Sequence, residues 1–241
     1  WEEHAQSHPD FFQHLRAACE SGWDFSSRWM EDPMDLGTTR TMDIAPVDLN
    51  SLLFYMEELL HNLTGKPVYA QAASKRKRKI QDVFFTENGY QDIVISTGAP
   101  TGVLSAACCF PLFVGAASQE QADFTARQVA DQLLQQGGLA TTLIESGQQW
   151  DAPNGWAPLQ WVAVQGLAKY GHAKLAQEIA KRWLQTCDII YTAKGKFVEK
   201  YNVFEPDNLS KGGEYEVQDG FGWSNGVYVA LLHWLEEQGA N

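Results

Sequence analysis

One pattern recurs along the chain: apolar residues at helical spacing for about 12–18 residues, closed by a turn that carries glycine. Asp48 can cap a helix in which Leu49, Leu52, Leu53, Met56, Leu59, Leu60 and Leu63 recur at i, i+3, i+4, i+7, with Gly65 as its stop. The spacing predicts further helices over 119–136, halted by Gly137-Gly138, and over 159–170, 173–190 and 223–237. The apolar run 102–117 reads as a buried helix, and 196–203 is the best short-strand candidate. Successive one-sided helices joined by short turns must bury their stripes against antiparallel neighbours. The fold class is therefore all-α, built from helix pairs.

Charge narrows the function. Against 30 acidic residues stand 18 basic ones, a net charge of −12, so neither nucleic acid nor an anionic membrane suits this surface as partner. Five of the basic residues form the run Lys75-Arg76-Lys77-Arg78-Lys79, which reads as a solvated helix face or loop. No uncharged apolar run approaches the roughly 18 residues of a membrane span. Cys19, Cys108, Cys109 and Cys187 lack zinc-ligand spacing, and the adjacent pair lies in an apolar segment that suits buried thiols. The sequence opens on Trp1-Glu2-Glu3 with no signal-peptide pattern, and reads as continuing something longer.

Several familiar motifs fall away. His4 and His8 have i, i+4 spacing without an accompanying carboxylate motif, and no metal is expected. The glycine-rich run from Gly220 to Gly226 lacks dinucleotide-loop spacing and follows no credible strand.

What remains is carboxylates set among the nine tryptophans. Asp24 lies between Trp23 and Phe25 in Glu20-Ser21-Gly22-Trp23-Asp24-Phe25-Ser26-Ser27-Arg28-Trp29. The run from Gln148 to Pro158 joins Trp150, Asp151, Asn154 and Trp156. Glu199 sits in Val198-Glu199-Lys200-Tyr201-Asn202, and further acids and rings follow in Gly213-Glu214-Tyr215 and from Gln218 to Trp223. One such cluster alone reads as helix caps and core packing; three of the same composition favour a site. Acids and amides read hydroxyls while indole faces stack on pyranose rings, which points to carbohydrate. Glycosidic cleavage needs one protonated carboxyl and one ionised one, and apolar neighbours raise a carboxyl's pKa, so Asp24 suits the acid.

In these runs the chain resembles the trehalase family, glycoside hydrolase family 37. The resemblance rests on Gln149 to Pro158, Glu20 to Trp29, Val198 to Tyr201, Gly213-Glu214-Tyr215 and Gln218 to Gly226, in the family's order, and the wording from Ser146 to Pro153 looks closest to bacterial periplasmic trehalases. The resemblance implies an (α/α)6 barrel hydrolysing α,α-trehalose to two glucoses with inversion, without cofactor or metal, in the periplasm. By it, Asp24 is the general acid and Glu199 the general base. Gly22 and Glu214 contact substrate, and Trp150, Asn154 and Trp156 line the sugar pocket. Inversion implies carboxyls roughly 6.5–9.5 Å apart.

The family's first signature and several sugar-binding arginines are absent, and the glycine run before Glu214 is shortened to Gly212-Gly213. Residues 1–241 are therefore expected to be the C-terminal part of a single catalytic domain, supplying roughly half the barrel helices. The missing N-terminal half is the expected protein partner. The alternative is a non-catalytic half-barrel fragment or sugar-binding module. A related α/α-barrel glycosidase with another substrate is a weaker third reading.

Overall fold

The computed structural model describes residues 9–210, 212–213 and 215–239. His4, His8 and Glu214 lie outside the described residues.

Among those residues the chain is mainly helical. The principal helices are α1 (Phe11–Ser21), α2 (Val47–Thr64), α3 (Pro67–Asp82), α4 (Phe110–Phe113), α5 (Gln119–Gln128), α6 (Ala157–Lys169), α7 (Ala173–Lys194) and α8 (Gly222–Glu237). The closest-packed neighbours are the hairpins α2/α3 and α6/α7, with α8 laid against both α6 and α7. Among the described residues there are four two-stranded antiparallel ribbons: β1 (Ile44–Ala45) with β4 (Ile93–Val94), β2 (Phe85–Thr86) with β3 (Gly89–Tyr90), β5 (Leu134–Gln135) with β6 (Gly138–Leu139), and β7 (Asn154–Trp156) with β8 (Lys200–Asn202). The strand expected within 196–203 is thus present. Buried alanines, leucines and Trp183 between the pairs form one continuous core.

Several boundaries agree with the sequence reading. Helix α2 ends on Gly65 in the left-handed region, and α6, α7 and α8 fall where their periodicity places them. The basic run lies within α3, where Lys75, Arg78 and Lys79 are exposed. Three expectations need correction. The helix over 119–136 ends at Gln128 and passes through a π-helical turn into a short ribbon pairing Leu134 with Leu139, because the chain reverses at Gly137-Gly138. The run 102–117 forms a 3-10 turn and the single α-turn α4, not one helix.

The third correction concerns α2. Its core side is Val47, Ser51 and Phe54, whereas Leu49, Leu52, Met56, Leu59 and Leu63 are exposed. These residues form a stripe turned away from α3, with no covering element among the described residues. No helix among the described residues is long and apolar enough to cross a membrane.

Candidate active site

Helix α1 ends on Gly22, which adopts φ +83° and donates its N–H to the Cys19 carbonyl. A left-handed residue here turns the chain sharply, and glycine alone does so without strain. The turn delivers Trp23 and Asp24 to one end of the helix pairs.

Two buried ionic centres fix the loop that follows. Asp151, fully buried, accepts hydrogen bonds from Ser26 Oγ (3.0 Å), the Ser27 N–H (2.6 Å), Ser27 Oγ (2.7 Å), Thr142 Oγ1 (2.8 Å) and Ser146 Oγ. The Trp150 N–H donates to the Phe25 carbonyl, so loops 23–28 and 146–151 are sewn together. Arg28 is likewise buried. Its guanidinium makes two bonds to Asp48, each 2.7 Å, and bonds of 2.5 and 2.8 Å to Asp92, and lies 4.5 and 4.4 Å from the rings of Trp23 and Trp29. Burial alone would depress its pKa, but the two carboxylates outweigh burial and raise it above the usual arginine value.

The second and third motifs meet through the backbone. Strand β7 pairs with β8 so that Asn154 faces Asn202, Gly155 faces Tyr201 and Trp156 faces Lys200. This register brings Glu199 beside the tryptophan cluster. Trp150 and Trp156 stack 4.0 Å apart with a 2° tilt, Trp23 stacks on Trp150 at 5.2 Å, and Trp223 meets both Trp150 and Trp156 edge-on.

Trp150, Asn154 and Trp156 are 4%, 0% and 2% exposed. The Asn154 amide donates to the Gln149 carbonyl and accepts from Ser210 Oγ, and the Trp156 indole N–H donates to the same Gln149 carbonyl. These three side chains are therefore buried, not exposed to solvent, and two of them are tied to the Gln149 backbone. The exposed rings beside them are Tyr215 (46%) and Trp223 (37%).

The two carboxylates sit in unlike surroundings. Asp24 is half-buried, and its pKa is raised above the ordinary aspartate value, first by loss of solvent and further by the charge of Glu199. Its own backbone N–H, the Trp150 indole N–H and Lys200 pull the other way without cancelling the rise. Glu199 is fully buried. Its Oε1 accepts from Lys200 Nζ (3.0 Å) and the Gln218 N–H (3.2 Å), while Oε2 is buried without a hydrogen-bond partner. A solvent-touched carboxyl biased toward protonation thus shares one electrostatic neighbourhood with a buried carboxyl that keeps one bare oxygen, an asymmetry that general acid–base chemistry uses.

Gln149 ties the two sides together. Its Nε2 donates to the Asp24 carbonyl and approaches Tyr215 Oη at 3.3 Å, and its Oε1 accepts from Lys200 Nζ at 2.8 Å. The glycine loop rests on the same residue. Gly213 has φ +93° and donates its N–H to the Gly147 carbonyl, and a Cβ there would lie 2.9 Å from Gln149 Cβ. Sequence alone assigns no role to Arg28, Gln149, Asp151 or Lys200. A buried lysine or arginine leaves one signal only, a charge inside an otherwise apolar or aromatic run, as Lys200 does between Val198 and Tyr201.

The comparisons with known proteins agree on one family. The family model for trehalase matches residues 2–236. The periplasmic trehalase of Pseudomonas aeruginosa is 48% identical over 231 residues, covering 92% of this chain and 42% of the relative. That of Xanthomonas campestris pv. campestris is 45% identical over 246 residues, covering 99% and 43%. The chain thus spans less than half the length of these curated relatives. Among solved structures, the neutral trehalase of Saccharomyces cerevisiae superposes with a TM-score of 0.79 at 26% identity, covering 95% of this chain and 43% of that one. The GH63 mannosylglycerate hydrolase of Thermus thermophilus superposes at 0.64 with 20% identity over 84% of this chain and 48% of that one, a likeness of fold alone. The helical-barrel fold expected from the sequence is the fold these structures share with this chain.

Proposed function

The chain belongs to the trehalase family, and we propose that it is the C-terminal part of a single catalytic domain that hydrolyses α,α-trehalose to two glucoses with inversion. Asp24 protonates the glycosidic oxygen as the bond breaks. Glu199 Oε2 takes a proton from the water that attacks the anomeric carbon on the opposite face. The departing glucose leaves with the Asp24 proton, and both carboxyls return to their starting states through solvent. The names of the relatives support the periplasm as the compartment.

One observation carries the reading. The half-buried Asp24 with its raised pKa and the buried Glu199 with its bare Oε2 lie in one electrostatic neighbourhood, joined through Gln149 and Lys200. A sugar-binding module has no need of a carboxyl held toward protonation beside a second, unpartnered carboxylate oxygen. This favours the hydrolase over the non-catalytic alternative.

We propose that Gly22, Trp150, Asn154 and Trp156 shape the sugar site, the last three as its floor, and that Glu214 contacts the sugar, as the family resemblance implies. The protein partner is the rest of the barrel. The apolar stripe of α2 and the exposed Val229 and Leu232 of α8 are surfaces that further barrel helices would cover. The test is hydrolysis of trehalose by this chain alone and by this chain mixed with the portion of the Pseudomonas relative that it does not match. Glucose release from the mixture supports the reading, and release by this chain alone would overturn the need for the rest of the barrel. No glucose from either, with both pieces folded, overturns it.

A further inference from the structure

Lys200 is an unusual lysine: its side chain is fully buried, yet the charged end has partners on every side. Nζ donates to Glu199 Oε1 at 3.0 Å and to Gln149 Oε1 at 2.8 Å, and lies 5.6 Å from the Trp156 ring and 5.2 Å from the Tyr215 ring. Burying an ammonium is costly unless it is paired, and removing one member of a buried pair strands the other. A lysine kept in such a place either holds the fold or serves the group it touches.

The pattern around Glu199 favours the second. Lys200 and the Gln218 N–H both engage Oε1 and neither engages Oε2. The carboxylate is therefore oriented, with one oxygen spent on the protein and the other bare. Among the described residues, the titratable groups that act on it are Lys200 next to it in the chain, Asp24 from the loop after α1, and Tyr215 from the loop after Gly213. Asp24 and Tyr215 can only be neutral or negative. Lys200 is the single cation among the three.

We propose that Lys200 is a positioning residue for the hydrolytic step, its hydrogen bonds to Glu199 Oε1 and Gln149 Oε1 holding the carboxyl so that Oε2 is left for the attacking water. Through Gln149 the same ammonium sets the spacing between the base and the backbone of Asp24. Lys200 itself touches no reacting atom and transfers no proton. The inference rests on the trehalase reading for its chemistry, and on the geometry alone for the Lys200–Glu199 pair.

Two measurements separate these. kcat and KM for trehalose are measured on the 241-residue chain with the complementing portion of the relative, unsubstituted and as Lys200→Met and Lys200→Gln. Misplacing a catalytic group by about 1 Å costs on the order of 10²-fold, so both variants should lose about that much in kcat with KM changed less than about threefold. A residue that only packs would leave kcat of the folded variants near wild type, and an unchanged kcat in both overturns the positioning role. Absence of hydrolysis by the unsubstituted protein overturns the trehalase reading and the catalytic part of the inference with it. Thermal melting of Lys200→Met, Glu199→Gln and the double variant then tests the pair without any assay. The double variant should melt higher than Lys200→Met, since Glu199→Gln removes the stranded charge. Losses that add overturn the pairing itself.

Discussion

Trp156 and Lys200 face one another as register partners in the ribbon of β7 and β8, with the ammonium 5.6 Å from the indole ring. Two motifs far apart in sequence thereby become one structure: the ribbon carries Asn154 and Trp156 on one strand and presents Glu199 at the start of the other. Loop 23–28 joins them through Asp151, Trp150 and Gln149.

Asp24→Asn removes the proposed proton donor and with it a carboxyl whose folded-state pKa is raised. Such a group favours folding below its unfolded pKa, and that contribution is lost as pH rises through the folded pKa. At neutral pH the wild-type chain therefore carries a penalty that the asparagine lacks. The variant is expected to melt no lower than wild type at pH 7, and to lose the alkaline limb of its pH–rate profile. A melting temperature well below wild type at pH 7 would contradict this.

Arg28→Met strands Asp48 and Asp92, both within bonding distance of a fully buried guanidinium. Breaking a buried pair by removing one partner costs about 3–5 kcal/mol. Urea unfolding should read a loss of that size. A change within the scatter of surface substitutions would mean that the network contributes little.

Asp151→Asn keeps the shape and changes the chemistry. The carboxylate accepts from five donors, and the Ser27 N–H cannot rotate away from an amide NH2 turned toward it. The cost is about 1–3 kcal/mol in unfolding free energy. Because the same bonds hold the loop bearing Asp24, turnover should fall by as much as ~10² through misplacement of the acid. Wild-type turnover in this variant would show that Asp24 is positioned by other contacts.

How much of this is legible in the sequence depends on whether the information is local. The helices α2, α6, α7 and α8 are legible because their periodicity and their glycine stops, such as Gly65, are local. Which face of α2 is buried is not: Leu49, Leu52 and Met56 form a helical stripe whether or not a neighbour covers it. The carboxylates Asp24 and Glu199 stand out by their aromatic and turn-rich surroundings. The groups that position them do not, because Asp151 looks like any acid in a turn until the hydroxyls of Ser26, Ser27, Thr142 and Ser146 converge on it. The tryptophan excess points to sugar stacking. Trp23, Trp150 and Trp156 instead stack largely on one another, leaving Tyr215 and Trp223 exposed.

Leu52→Glu with Met56→Glu tests the outward stripe. Both side chains are exposed, so the chain's own unfolding free energy should change by no more than about 0.5 kcal/mol per site. Charges on a surface meant for apolar cover should weaken binding of the complementing barrel portion by about tenfold or more, read by titration calorimetry. Unaltered binding would place the barrel contact elsewhere.

Inversion makes a prediction about products. Water entering opposite the broken bond yields one β-glucose, and the leaving sugar retains its α configuration, so the first products should contain both anomers equally. Proton NMR early in the reaction reads this directly. Initial release of α-glucose alone would indicate retention and a nucleophilic role for Glu199.

The proposed acid–base pair is tested most directly by the trehalose-hydrolysis rates of Asp24→Asn and Glu199→Gln in this chain with the complementing barrel portion, each with its melting curve recorded alongside. General acid–base groups contribute ~10²–10⁴ in rate. Both variants should fold and lose at least ~10² in kcat. Near wild-type hydrolysis by either folded variant would contradict the pairing of these two carboxylates as acid and base.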